Sequence, residues 1–131
     1  MAGEAPPQYR FAMPIVTIQS LRPPEPGRID MMLSSVVNSL SRAIGCPPAD
    51  VWVYWQEAGA VHQGQTRREF AGHCPMVTIR ARTANAPEQV EKGLSATAEA
   101  VSISLDVPVE NVWIYWQELS PTRVFAGGHI R

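Results

Sequence analysis

A bulky heptapeptide occurs twice in this chain, as VWVYWQE at residues 51–57 and as VWIYWQE at 112–118. Shifting the sequence against itself by 61 residues aligns the two copies without a gap and places Pro14 on Pro75. Residues 14–57 and 75–118 then share 15 identities over 44 positions. Agreement at a fixed offset indicates an internal duplication, so the chain must fold as two copies of one unit.

Each copy carries the pattern of a β-α-β unit. A β-branched run opens each copy and predicts a strand. A proline then marks the first turn of a helix, at Pro26 and Pro87. Gly45 and Asp106 end the helices, and the heptapeptide follows as a second strand. The predicted helical stripes comprise Ile29, Leu33, Val36, Leu40 and Ile44 in the first copy and Val90, Leu94, Val101 and Leu105 in the second.

Two such units predict an α+β two-layer sandwich, with a four-stranded mixed sheet and both helices on one face. A right-handed crossover makes the two strands of each unit parallel. We interpret the heptapeptides as the paired inner strands of this sheet. The predicted organisation is an N-terminal extension (1–13) and one domain (14–131), which comprises repeats 14–57 and 75–118, a linking loop (58–74) and a C-terminal hairpin (119–131).

The heptapeptide is apolar on both faces of its predicted strand. Val51, Val53 and Trp55 would point one way, and Trp52 and Tyr54 the other. Burying one such aromatic side chain removes about 150–250 Å² from water, which is worth on the order of 4–6 kcal/mol gross. The helices can cover only one face, so we expect partner subunits to cover the other.

Composition excludes several classes of partner. The 131 residues carry a formal net charge of −1, which gives no field for nucleic acid or an anionic membrane. No stretch has the length of a signal peptide core or a membrane span, so we expect a cytoplasmic protein. Cys46 and Cys74 lack metal or redox spacing and are expected to be buried free thiols. The histidines lack partner spacing and are expected at the surface, so no metal or cofactor is predicted; they are His62, His73 and His129.

The chain resembles the tautomerase superfamily over residues 14–131. The resemblance rests on the duplicated β-α-β unit, a proline at the head of the first strand, the GCPP turn at 45–48 and FAGG at 125–128. It is similar to the fused, double-length branch, which includes malonate semialdehyde decarboxylase and the 3-chloroacrylic acid dehalogenases. The resemblance implies a homotrimer, no cofactor and a small carboxylate substrate.

The resemblance also implies an N-terminal proline that acts as acid or base, and Pro14 is at the matching position. In this sequence, however, the Pro14 nitrogen is a tertiary amide after Met13 and has no basic lone pair. Either the active chain begins there after alternative initiation or trimming, or the protein works without a proline base. Pro75 is blocked in the same way and is interpreted as structural.

Arg80 and Arg82 are candidate substrate-binding residues. They lie two apart on a strand and could form a fork for a carboxylate, as the paired arginines of malonate semialdehyde decarboxylase do. Their repeat mates are Gln19 and Leu21, which suggests a role limited to one half. Solvated charges at a strand end are the alternative.

Asp50 matches the carboxylate of malonate semialdehyde decarboxylase and is a candidate catalytic residue. Because its repeat mate is Asn111, either residue could instead cap the turn before a strand. Two family features are missing. Trp52 and Trp113 replace the arginine of 4-oxalocrotonate tautomerase, and the helix residues NSLSRAIG lack the histidine of cis-3-chloroacrylic acid dehalogenase.

Each of the remaining candidates also has a structural alternative. Glu118 is a candidate catalytic base if the proline is disabled, because an apolar pocket would raise the pKa of a carboxylate; the alternative is an ordinary polar strand end. Phe125 and Trp116 could wall a substrate pocket or pack in the core. Residues 9–11, Tyr-Arg-Phe, could cross the pocket mouth or fray.

Two classes of function therefore compete. The first is an isomerase or lyase that moves a proton on a small oxo- or unsaturated carboxylic acid, by tautomerisation, decarboxylation or hydration. The second is a catalytically altered trimeric binding module. A pathway-specialised isomerase or cyclase that uses the same pocket cannot be separated from the first by sequence.

Overall fold

The computed structural model describes residues 13–21, 25, 27–67, 75–82 and 85–130. The first repeat forms strand β1 (Ile15–Ser20), helix α1 (Arg28–Ile44), a 3₁₀ turn (Pro48–Asp50) and strand β2 (Trp52–Glu57). The second repeat forms β5 (Met76–Arg82), α2 (Pro87–Leu105), a 3₁₀ turn (Val109–Asn111) and β6 (Trp113–Leu119).

The helix ends follow from local chemistry. Pro87 is in the first turn of α2, as predicted, and the Gln89 side chain accepts a hydrogen bond from the Ala86 N–H at 3.0 Å. The Gln89 amide also donates to the Ile44 carbonyl at 3.1 Å, which ties the start of α2 to the end of α1. Gly45 ends α1 with a φ of 74°, in the left-handed region that glycine adopts without a steric penalty.

The four long strands form the predicted mixed sheet, in the order β2-β1-β5-β6. The two strands of each repeat are parallel, while β1 and β5 are antiparallel and place Thr17 opposite its repeat mate Thr78. The interpretation of the heptapeptides as inner strands is wrong, because β2 and β6 lie at the two edges of the sheet. The repeats join through their first strands, and this pairing leaves each second strand outside.

The core lies between the sheet and the two helices. Five residues of the predicted apolar stripes belong to it, namely Val36, Leu40, Ile44, Val101 and Leu105. The other stripe residues are only half-buried: Ile29, Leu33, Val90 and Leu94. Helix residues outside the predicted stripes are buried as well, among them Met32, Gly93, Thr97 and Ala100. A side chain at Gly93 would meet Trp116, Ile44 and Leu40 within 3.2 Å, so the helices approach closely there. The buried hydrophobic residues are Val16, Ile18, Met32, Val36, Leu40, Ile44, Cys46, Val51, Val77, Ile79, Ala81, Ala100, Val101, Leu105 and Val107.

The other face of the sheet carries the exposed aromatic side chains. Trp52 and Trp113 are 60% and 70% exposed, and Tyr54 and Tyr115 lie beside them on the same face. Trp55, by contrast, packs against the core. The strand alternation predicted for the heptapeptide is therefore observed, and the single chain leaves this face uncovered.

Two short hairpins follow the outer strands. β3 (His62–Gln63) pairs with β4 (Thr66–Arg67), and β7 (Phe125–Ala126) pairs with β8 (His129–Ile130). The first is in the linking segment and the second near the C terminus, so the repeats also match in this element.

Several sequence-based expectations fall outside the described residues. These concern residues 9–11, Pro26, His73 and Cys74. Cys46 is a buried free thiol. In the part of the chain that the structure describes, no helix is both long and apolar enough to cross a lipid bilayer.

Candidate active site at one end of the sheet

The strand register gathers most of the candidate residues at one end of the sheet. We call this the Pro14 end; β1 and β2 begin there, and β5 and β6 end there. Ile15 is paired with Arg80, and Arg80 is paired with Gln117 on β6. Residues that are far apart in the sequence are thereby brought together. The opposite end, where β5 and β6 begin, is called the Pro75 end.

Arg80 and Arg82 lie on the same face of β5, as predicted. This is the open face of the sheet, because Ala81 between them is buried toward the helices. The Arg80 Nε donates a hydrogen bond to Gln117 Oε1 at 3.2 Å, so the neighbouring strand orients one guanidinium. Two half-buried cations on adjacent same-face positions can bind an anionic ligand in a forked geometry.

Pro14 is fully buried at the head of β1. Its carbonyl accepts a hydrogen bond from the Trp52 N–H at 3.0 Å, and its nitrogen is bonded to Met13. Met13 has a φ of 40°, and a non-glycine residue adopts this left-handed region at a cost of roughly 1–2 kcal/mol. Pro75 occupies the equivalent place, with its carbonyl bonded to the Trp113 N–H at 3.1 Å.

Asp50 ends the 3₁₀ turn before β2 and is half-buried. Its backbone N–H donates to the Pro47 carbonyl at 3.0 Å, and Asn111 makes the same bond to Pro108 at 2.9 Å. Burial, and secondarily the charge of Asp50, raise the pKa of the Cys46 thiol to about 11. The carboxylate is therefore close to the turn that leaves α1, at the end of the sheet where β2 begins.

The other candidates are dispersed around this end. Glu118 pairs with Ala81 on β5 and is exposed in the single chain. Trp116 packs beneath Gly93 on the helix side of the sheet, among the residues that contact the core. Phe125 begins β7 and is 70% exposed. Trp116 and Glu118 pair with the buried Ile79 and Ala81, so both lie on the helix side of the sheet, opposite the face that carries the arginines.

A second feature, which the sequence reasoning did not identify, is at the Pro75 end. A cavity of about 520 Å³ forms there, where β1 ends and β5 and β6 begin. It is lined by Gln19, Ser20, Ala58, Val61, His62, Gln63, Pro75, Met76, Glu110, Asn111 and Trp113. The available signal was the same loss of repeat symmetry that pointed to the arginines, because Gln19 and Ser20 are the mates of Arg80 and Ala81.

Neither end presents a metal centre within the described residues. These residues contain no group of three histidine, cysteine, aspartate or glutamate side chains that could hold a metal ion.

Comparison with solved structures gives matches over most of the chain. The wild-type fused 4-OT F6, described as an asymmetric trimer, superposes with a TM-score of 0.82 at 17% identity, over 88% of this chain and 94% of that one. Macrophage migration inhibitory factor from Toxoplasma gondii gives 0.75 at 18% identity, over 89% and 99%. N1, a member of the cis-3-chloroacrylic acid dehalogenase family, gives 0.70 at 20% identity, over 88% and 82%.

Comparison by sequence gives no corresponding match. No protein-family model matches the chain, and no curated protein matches it significantly. At identities of 20% or less, the structural matches show the fold. The resemblance inferred from the duplicated motifs is confirmed at that level.

Proposed function

We propose, from the tautomerase fold and the residues at the Pro14 end, that the protein catalyses proton transfer on a small oxo- or unsaturated carboxylic acid. The reaction would be a keto-enol tautomerisation, or a decarboxylation or hydration. The observation that carries the proposal is the pair Arg80 and Arg82, which lie on one face of β5 beside the start of β1. Their mates in the other repeat are uncharged.

The arginines supply binding and charge stabilisation in this proposal. A substrate carboxylate accepts hydrogen bonds from the two guanidinium groups. When a proton leaves the carbon next to a carbonyl, its electron pair moves to the carbonyl oxygen and forms an enolate. A positive charge already held in place at that oxygen lowers the barrier because it does not have to reorganise during the reaction.

The group that moves the proton depends on how the chain begins. A chain that keeps Met13 has an amide at Pro14, and we assign the proton transfer to Asp50. Glu118 is the alternative carboxylate, at the same end of the sheet but on its helix side. A chain that begins at Pro14 has a secondary amine there, which can act as base and then as acid. Removing Met13 would also remove a residue with a strained φ of 40°.

The test is a substrate panel measured with both forms of the chain. We expect turnover of phenylenolpyruvate, 2-hydroxymuconate or malonate semialdehyde, with a higher KM in Arg80→Ala and a lower kcat in Asp50→Asn for the chain that keeps Met13. The matched controls are Gln19→Ala and Asn111→Asp, which alter the mates of these residues in the other repeat. The proposal fails if neither form turns over any panel member and Arg80→Ala leaves carboxylate binding unchanged.

We propose that the assembly is a homotrimer, whose subunits cover each other's open sheet faces. The support is the row of exposed aromatic side chains on that face, together with the trimers named among the matching structures. We also propose a reducing, cytoplasmic setting, which the buried free thiol of Cys46 supports.

A non-catalytic trimeric binding module is the second candidate. The observation in its favour is Pro14, whose nitrogen is an amide and whose side chain is fully buried. The intact mass of the natively expressed protein distinguishes the amine mechanism from the other two possibilities. A mass that begins at Pro14 supports the amine mechanism, whereas one that begins at residue 1 or 2 leaves the carboxylate mechanism or a binding role.

A further inference from the structure

A shallow groove lies along the outer face of helix α1. The described residues that line it all belong to this helix: Asp30, Met31, Ser34, Ser35, Asn38 and Arg42. Ser35 is half-buried and the others are exposed. This face points away from the sheet, because the buried residues of α1 lie on the opposite side of the helix. The groove is therefore remote from the open sheet face, and the proposed trimer contact leaves it free.

Two rows of side chains, each spaced four residues apart, form the walls of this groove. The first row is Asp30, Ser34, Asn38 and Arg42, and the second is Met31 and Ser35. In the commonest packing of two α-helices, a row of this spacing on one helix fits between two such rows of the other. The small side chains of Ser34 and Ser35 allow the two helix axes to approach closely. The groove therefore has the form that a second helix requires.

The first row carries opposite charges at its two ends, on Asp30 and Arg42. These residues are twelve positions apart in the sequence. They are thus separated by about 18 Å along the helix axis and cannot pair with each other. The Arg42 Nε donates a hydrogen bond to the Asn38 carbonyl at 3.2 Å, which holds the guanidinium along the row. If a second α1 packs antiparallel about a two-fold axis, Asp30 lies beside Arg42 of the partner subunit, and the reverse pair forms at the other end.

The corresponding row of α2 lacks this complementarity. It comprises Glu91, Ser95, Glu99 and Ile103. Two of its members are acidic and the last is apolar, so two copies of α2 would bring no opposite charges together along this row. The self-complementary pattern is thus specific to α1, since the repeat mate of Arg42 is Ile103.

We propose that the outer face of α1 is a docking surface for α1 of a second copy of this chain, across a two-fold axis. The rows of the two helices interdigitate, with an ion pair between Asp30 and Arg42 at each end and contacts between Ser34 and Asn38 in the middle. One pair of short helices covers less area than the roughly 1,200–2,000 Å² of stable interfaces, so the association is weak and reversible. It depends on neither the proposed activity nor the proposed trimer.

The experiment is sedimentation velocity on the full chain over a wide range of protein concentration. The mean mass of the parent should rise reversibly with concentration, and the rise should be smaller at high salt because the pairs are exposed. Asp30→Arg and Arg42→Asp should each weaken the association about tenfold, since the two-fold axis turns both ion pairs into like-charge contacts. Far-UV circular dichroism of each variant checks that α1 remains folded.

Mixing the two variants tests the symmetry of the contact. An equimolar mixture of Asp30→Arg and Arg42→Asp should associate like the parent, because one chain then supplies two cations and the other two carboxylates. The double variant Asp30→Arg, Arg42→Asp should also associate like the parent. The matched controls are Glu91→Arg and Ile103→Asp on α2, which alter the repeat mates and should leave the association unchanged.

Three results would overturn this docking surface. The first is a parent mass that does not change with concentration, and the second is a mixture that associates no better than the single variants. The third is an equal loss of association in Glu91→Arg and Asp30→Arg, which would place α2 in the contact.

Discussion

Arg80 and Gln19 occupy the same place in the two repeats, yet only Arg80 carries a charge. Asp50 and Asn111 differ in the same way, since only Asp50 carries a charge. Their two turns nevertheless make equivalent backbone hydrogen bonds, from Asp50 to Pro47 and from Asn111 to Pro108. A duplicated backbone thus presents two sets of side chains on equivalent scaffolds. Function at the residue scale is best sought where the mates differ, because the matching positions are accounted for by the shared fold.

Gln117 is expected to act as a positioning residue for Arg80. It holds the Arg80 Nε at 3.2 Å. Gln117→Ala should raise the KM for a carboxylate substrate, or the Kd for benzoate, about three- to tenfold, the range for one modest hydrogen bond, with kcat little changed. Its repeat mate Gln56, next to Gln19 in the sheet, provides the control. An equal effect from Gln56→Ala would show that the change acts through the sheet and not through Arg80.

Cys46 should make stability depend on pH in the alkaline range. Burial raises the pKa of its thiol from 9.0 to about 11. Below pH 9 both the folded and unfolded chains keep the proton. Between pH 9 and 11 the unfolded chain loses it first, so the free energy of unfolding falls as pH rises.

Urea unfolding of the parent and of Cys46→Ala from pH 8 to 11 measures this effect. The parent should be more stable at pH 8, and its advantage should shrink toward pH 11. Other titrating groups are common to both proteins and cancel in the difference. A difference that stays constant with pH would contradict the assignment.

At the scale of elements, the two helices and β6 approach one another closely at a single glycine, Gly93. Gly93 faces Trp116 on β6 and both Leu40 and Ile44 on α1. The hydrogen bond from Gln89 to the Ile44 carbonyl lies one turn earlier in α2. Helices α1 and α2 and strand β6 therefore meet at Gly93, where any side chain larger than hydrogen would be in steric conflict with its neighbours.

Gly93→Ala should destabilise the protein even though alanine favours helix. The added Cβ would be 3.0 Å from Trp116 Cζ3 and 3.1 Å from Ile44 Cγ2. Overpacking typically costs about 1–3 kcal/mol, against a propensity gain of about 1 kcal/mol, so we expect a net loss of up to about 2 kcal/mol. Chemical unfolding gives the value. The control is Ser95→Ala, at an exposed position of the same helix, which should leave the free energy of unfolding unchanged or raise it. A Gly93→Ala variant that is more stable than the parent would contradict the prediction, because it would mean that the helices can separate at little cost.

At the scale of the whole molecule, the sheet is covered on one side only. The helices bury one face, and the other presents tryptophan and tyrosine from both edge strands. An apolar face of this kind on a single chain is typical of a subunit surface.

The double variant Trp52→Glu, Trp113→Glu should convert the proposed trimer to a monomer, because the charges would be buried without partners. Light scattering with size exclusion gives the mass, and far-UV circular dichroism checks the fold. Ile103→Glu introduces the same charge at an exposed apolar residue on α2 and should leave the mass unchanged. A parent protein that is already monomeric would remove the trimer proposal.

The sequence alone determined the duplication, the β-α-β units, the two-sided apolar strands and the placement of Arg80 and Arg82 on one face. These follow from periodicity and repeat offset, which are local properties. Only the tertiary structure decided that β2 and β6 are edge strands, since that depends on which strands pair between repeats. It likewise decided that Trp116 packs beneath Gly93 and that Ser20 borders a cavity, because both depend on contacts between segments distant in sequence.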